Sequence, residues 1–182
     1  MFSLFNDIAY NGIMVSGVTR RPDHFDSPNG ARIPASRWLD EAATTAGTHL
    51  QRNQIARLRR QIEALRDDGI AADEMIAISP FREVADHLGR LDQDYPGLRA
   101  GTIHTAQGRE ADVVFLVLGG DPTAPGAKAW AAATVNLVNV AASRAKRRLY
   151  VIGDQSAWAK HHYFNQLAAA LDQSTRQDRQ GA

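Results

Sequence analysis

Six consecutive apolar residues, Val113-Val114-Phe115-Leu116-Val117-Leu118, constrain this chain more than any other feature. A strand with one face in water alternates apolar and polar side chains, so an unbroken run of this length needs cover on both faces. Leu149-Tyr150-Val151-Ile152, closed by Gly153-Asp154, has the same character. Met75-Ile76-Ala77-Ile78 is a third such run, ending at Ser79-Pro80, and Ala100 to His104 is a shorter strand candidate. Helical patterns lie between them. Leu50 to Asp68 places Ile55, Leu58, Ile62 and Leu65 at a period of three to four with arginines between, and stops at Asp67-Asp68-Gly69. Val84, Leu88 and Leu91 mark a second helix, Ala127 to Lys146 is alanine-rich and helical, and a last helix runs from near Trp158 to Leu171. Buried strands alternating with helices predict an α/β fold, a mainly parallel sheet with helices on both faces.

The remaining segments set the limits of the domain. Phe2 to Tyr10 has helical spacing and ends at Asn11-Gly12, and Ile13-Met14-Val15 reads as a short strand. Residues 19–49 hold Pro22, Pro28, Asn29-Gly30 and Pro34 and read as a largely irregular connection. Residues 174–182 read as a frayed polar tail. The 182 residues suit one domain, taken as 1–173, and 44% hydrophobic content suffices for its core. A net charge of +1 means that any basic surface must be local, and the absence of cysteine excludes disulfides and thiolate metal sites. No apolar run approaches the ~20 residues of a membrane span, and no basic start followed by an apolar stretch marks a secretory signal. A cytoplasmic protein with no membrane partner is expected.

In parallel sheets functional groups gather at the carboxyl ends of the strands, and three polar clusters are expected there: Ser79-Pro80-Phe81-Arg82, His104 to Glu110, and Gly153-Asp154. In Gly101-Thr102-Ile103-His104-Thr105-Ala106-Gln107-Gly108-Arg109-Glu110-Ala111-Asp112, hydroxyl, imidazole and amide groups could bond a phosphate or sugar edge. A polar connection that caps its own helix reads equally well. Asn136 to Arg148 is an asparagine-bearing apolar helix that ends in basic residues. Arg144 could project towards the γ-phosphate of a nucleotide, although from spacing alone a complement of the helix C-terminus reads slightly better for it, as it does more clearly for Lys146, Arg147 and Arg148. Asp121 to Lys128 is a loop that demands no chemistry. Trp38, Trp130 and Trp158 suit packing better than base stacking, and His161-His162 has no metal-ligand partner at suitable spacing.

Four of these segments, in order, carry a family resemblance. Thr102-Ile-His-Thr-Ala-Gln-Gly-Arg-Glu-Ala-Asp-Val-Val resembles motif V of superfamily 1 helicases, in the branch of RNA-surveillance and nuclease-helicase motors of AAA type. Asn139-Val-Ala-Ala-Ser-Arg-Ala-Lys-Arg-Arg-Leu-Tyr-Val-Ile-Gly-Asp resembles motif VI, Ile78-Ser-Pro-Phe-Arg resembles motif IV, and Phe2 to Met14 is similar to the segment after the family's Tyr-Arg-x-His-Pro element. The resemblance spans nearly the whole chain and implies a RecA-like three-layer fold, the second motor domain of an ATP-dependent DNA or RNA helicase. It implies that Arg144 is an arginine finger, that Glu110 lies by the nucleotide ribose, and that Gln107 and Gly108 link the nucleotide cleft to the nucleic-acid track. Ser79, Pro80, Thr102, His104 and Thr105 match positions that contact the backbone of single-stranded DNA or RNA, although His104 also suits a satisfied loop histidine.

The chain departs from the family at Ala142, where relatives carry a larger residue, and at Ala106, where phenylalanine is frequent. It contains no Gly-x-x-x-x-Gly-Lys-Ser/Thr loop and no acidic Mg²⁺ motif. ATP with Mg²⁺ is therefore expected to be held mainly by an upstream RecA-like domain of the same parent protein, and this chain alone is expected not to hydrolyse ATP. The competing expectation is a non-motor helicase-like scaffold or nucleic-acid clamp.

Overall fold

The computed structural model describes residues 25–103, 109–133 and 136–180. The helix and strand expected within residues 2–15 lie outside them.

Five strands form one sheet: β1 (Arg37–Asp40), β2 (Met75–Ser79), β3 (Arg99–Thr102), β4 (Ala111–Val117) and β5 (Ala145–Gly153). Their spatial order is β1-β5-β4-β2-β3, and every pairing is parallel. The connecting helices are α1 (Arg52–Asp67), α2 (Arg82–Gly89), α3 (Pro125–Ala132), α4 (Asn136–Arg144), α5 (Gln155–Trp158) and α6 (His162–Gln180). The routes β1-α1-β2 and β2-α2-β3 move across the sheet one way, and β4-α3-α4-β5 moves back. Right-handed crossovers then place α1 and α2 on one face and α3 and α4 on the other. The fold is a three-layer α/β sandwich with helices on both sides.

The apolar runs occupy the centre as their composition requires. Val113 to Leu118 and Leu149 to Ile152 are fully buried, and β2 is buried at all five positions. Ile55, Leu58, Ile62 and Leu65 form the buried stripe of α1. A satellite aromatic cluster joins the α5–α6 corner to this core: Trp158 is wholly buried, with its ring centroid 4.8 Å from Phe164 and 6.1 Å from Phe81.

Three sequence expectations change. The connection 19–49 contains strand β1, which the four residues Arg-Trp-Leu-Asp are too few to reveal by periodicity. Tertiary bonds fix it: Trp38 Nε1 donates to Gly153 O at 2.9 Å, and Leu149 N donates to Ser36 Oγ at 2.9 Å. The polar tail is helical through Gln180 because Asp178 is anchored. Its carboxylate accepts from Arg32 Nη2 at 2.7 Å and from Ala35 N at 3.1 Å. Lys146, Arg147 and Arg148 belong to β5 and do not complement a helix end. Arg147 pairs with Asp112 at 3.3 Å, and buried Arg148 donates to the carbonyls of Ile33 and Pro34 while lying over the Phe25 ring.

Truncation of Trp158 should locate the weight of the aromatic corner. Trp158→Ala is expected to cost about 3–5 kcal/mol, read as a lower urea midpoint at unchanged slope; a loss below ~1 kcal/mol would mean that the corner is peripheral to folding.

Candidate nucleotide and nucleic-acid sites

Parallel pairing sorts the expected site residues between two edges of the sheet. Ser79 and Thr102 are register partners at the carboxyl ends of β2 and β3. Glu110 and Arg144 lie at the opposite, amino edge: they immediately precede Ala111 and Ala145, which are themselves register partners. The expectation that Glu110 joins the carboxyl-edge cluster is therefore corrected. The segment leaving β3 at one edge must enter β4 at the other, and Glu110 sits at its far end. His104, Thr105, Gln107 and Gly108 lie outside the described residues.

At the amino edge, the half-buried guanidinium of Arg144 meets its neighbour Ser143: Nε and Nη2 donate to Ser143 Oγ at 3.3 and 3.2 Å. Ser143 Oγ in turn donates to Val140 O at 3.1 Å, inside α4. Among the described residues no carboxylate pairs with Arg144, and Glu110 is exposed. Arginine and glutamate thus flank adjacent strand entries without neutralising each other.

At the carboxyl edge, Ser79 is fully buried, and its Oγ accepts from Phe81 N at 3.3 Å. Its hydroxyl shapes the β2–α2 turn and is turned away from any strand passing outside, whereas Pro80 and Thr102 are half-buried. The neighbouring strands β4 and β2 send their chains to opposite faces, which in open α/β sheets leaves a ligand crevice between them. Here that crevice is filled by residues 41–54. The buried Gln51 amide accepts from Thr44 N and Thr45 N, both at 2.9 Å, and donates to Thr45 O, Thr48 O and Gly120 O. Gln54 accepts from Gly119 N at 2.9 Å and donates to Glu41 O at 3.0 Å. The His49 ring stacks on Phe81 at 3.9 Å and takes a hydrogen bond from Asp121 N on Nδ1. Gly119, at φ +60°, is required here: a Cβ would lie 2.6 Å from His49 O.

Three carboxylates from three different strand ends pin this loop by its backbone N–H groups. Asp154 accepts from Ala43 N at 3.4 Å, Asp121 from Gly47 N at 3.0 Å and Glu83 from His49 N at 2.9 Å. All three have lowered pKa values. The Thr48 hydroxyl is the main cause at Glu83, and Thr123 at Asp121. At Asp154 burial pushes upward, but hydrogen bonds from Ser156, Ala157 and Ala43 together outweigh it. Sequence reasoning missed this network. Its one legible trace was the pair Gln51 and Gln54, three residues apart where α1 begins, the second buried on the core face of a helix whose other buried residues are apolar.

A protein-family model described as "AAA domain" matches residues 33–156, a span that contains all five strands. The chain belongs to the AAA domain family. A curated protein of Dictyostelium discoideum named as a probable helicase is 29% identical over 90 residues. That alignment covers 50% of this chain and 9% of the relative, so the matched part spans under a tenth of that protein's length. The AAA domain is helicase-like in sequence. No helix among its described residues is long and apolar enough to cross a membrane.

Depressed carboxylates stabilise a fold above their ordinary pKa near 4 and lose that contribution as pH falls through the lower folded values. The amides of Ala43, Gly47 and His49 are therefore expected to lose hydrogen-exchange protection on acidification below about pH 4, before those of β4 and β5. Simultaneous loss in loop and sheet would show that the carboxylates do not pin the loop separately.

Proposed function

We propose that this AAA domain is the second RecA-like motor domain of an ATP-dependent helicase, completing an ATP site with its amino edge and contacting single-stranded nucleic acid with its carboxyl edge. The observation that carries the reading is the register of Ala111 with Ala145, which sets Glu110 and Arg144 side by side. An arginine with no carboxylate partner among the described residues can direct its charge at a bound nucleotide. Facing the γ-phosphate of ATP held by another domain, it would stabilise charge that develops during phosphoryl transfer. Glu110, exposed on the next strand entry, would meet the ribose.

The two roles assigned from sequence need two separate ligands, and the sheet provides two separate edges. Thr102 and Ala111, at opposite edges, are joined by only eight residues, among them His104, Thr105, Gln107 and Gly108. Movement of the nucleotide edge would reach the strand edge through this short covalent link, as coupling of hydrolysis to translocation requires. Ser79 takes a supporting part in this reading: its buried hydroxyl holds the turn that presents Pro80. Mg²⁺ and the phosphates would be held chiefly by a P-loop domain. The filled crevice between β4 and β2 counts against a free-standing nucleotide-binding module, because the usual pocket of such sheets is occupied by Gln51 and His49.

The test is strand-stimulated ATP hydrolysis by the full-length gene product with and without Arg144→Ala, at matched folding and ATP binding. A loss of about a hundredfold or more, ~3 kcal/mol, is expected. An unchanged, substantial rate would remove Arg144 from the finger role, and absence of hydrolysis in the unmodified protein would favour a nucleic-acid clamp without motor activity.

A further inference from the structure

A cavity of about 590 Å³ opens where β4 and β5 end, lined in part by Pro125, Gly126, Lys128, Asp154, Lys160 and His161. Of the four family-like segments, only the one resembling motif VI reaches it, through its last residue Asp154. Lys128 is its unusual member. The residue is only 6% exposed, and its ammonium makes no hydrogen bond or salt bridge among the described residues, although its charge acts on Asp154 across the cavity. Its stem runs along Gly120, where a Cβ would lie 2.7 Å from Lys128 Cε. The glycine, at φ +112°, leaves the room that this buried path requires. An ammonium whose three donors are unused on a cavity wall is placed to receive an anion.

The other wall groups agree. Lys160 adds a second positive charge, and the first turn of α3, at Pro125 and Gly126, presents the positive end of an eight-residue helix. Asp154 is the one acidic group lining the cavity, and its oxygens are already engaged by Ser156, Ala157 and Ala43. Beside the cavity stands Trp130, 74% exposed and one turn of α3 beyond Gly126. A partly enclosed cationic socket next to an exposed indole matches the way single strands are held, by backbone phosphate and base stacking together. In the strand order, β3 and β5 are three places apart. At about 4.8 Å per strand, a strand lying on Thr102 and Pro80 would cross to this cavity in some two nucleotides.

We propose that the Lys128–Lys160 cavity is a phosphate-binding subsite that seats one backbone phosphate of single-stranded nucleic acid, with Trp130 offering a stacking face to the adjoining base. The subsite extends the carboxyl-edge track and so rests on the reading that this domain contacts a single strand.

Fluorescein-labelled dT12 and rU12 binding to the 182-residue chain, followed by anisotropy across a salt series, tests it. Lys128→Met keeps the stem, and Lys160→Gln alters a residue outside the buried core, so a folding defect in the first leaves the second informative. Each is expected to weaken binding about tenfold and to lower the salt slope by about one. Tryptophan emission should change on binding in the unmodified chain and lose that change in Trp130→Phe. Unaltered binding by both lysine variants, with loss in Thr102→Val, overturns the subsite and leaves the track reading intact. Loss in the lysine variants with none in Thr102→Val supports the subsite and removes the Thr102 track. Absence of oligonucleotide binding by the unmodified chain at low salt overturns both. A Lys128-dependent thermal shift with inorganic phosphate is expected of such a subsite, whereas Lys128-dependent binding of poly-glutamate tighter than that of either oligonucleotide would overturn the assignment to nucleic acid.

Discussion

Every strand of the sheet runs the same way, and the placement of all functional groups depends on that one constraint. Parallel strands satisfy their backbone hydrogen bonds only if the chain returns to the amino edge after each strand. Each connection therefore delivers residues to both edges in turn. A motif that is continuous in sequence, Thr102 to Ala111, is divided in space by this rule, one end beside Ser79 and the other beside Arg144. The separation is a consequence of hydrogen-bond geometry and would follow for any sequence that places a polar connection between β3 and β4.

The same constraint explains why residues 41–54 matter. A change in winding direction between β4 and β2 opens a gap at the carboxyl edge, and a gap over a fully buried sheet must be filled by a ligand or by protein. This chain fills it with amides, whose donors and acceptors match the exposed carbonyls and N–H groups of the β4 end. The Gln51 amide oxygen accepts twice, and its two N–H groups are shared among three carbonyls. Buried amides so completely satisfied fix a single loop position, because any shift leaves several polar groups unpaired at once. Glu83, Asp121 and Asp154 then hold the outer part of the loop, so its order is tied to three separate strand ends.

The layers of the fold were legible in the sequence because burial on both faces leaves a direct signature: Val113 to Leu118 cannot be anything but covered. The stripe of α1 was legible for the same reason. Strand β1 was not, since four residues with a half-exposed Arg37 and an exposed Asp40 carry no period, and their place is fixed by partners more than a hundred positions away. The helical continuation through 174–180 was hidden likewise, because it depends on Arg32 reaching Asp178. For the sites, motif spacing brought Glu110 and Arg144 to notice together, but only register assigns them to the amino edge. Ser79 had the right chemistry for a strand contact and the wrong burial, which spacing does not encode.

Lys128 illustrates the remaining gap between pattern and placement. In sequence it is one lysine in an alanine-rich helix, where a solvated position is the ordinary expectation. Its burial arises from two distant facts, the glycine at 120 that makes room for the stem and the α5–α6 corner that closes the cavity over it. A hydrophobic residue would fill the space along the stem equally well. What only a lysine adds is the ammonium at the end of that stem, set on the cavity wall across from Asp154, so packing accounts for the stem and the proposed anion accounts for its charged end.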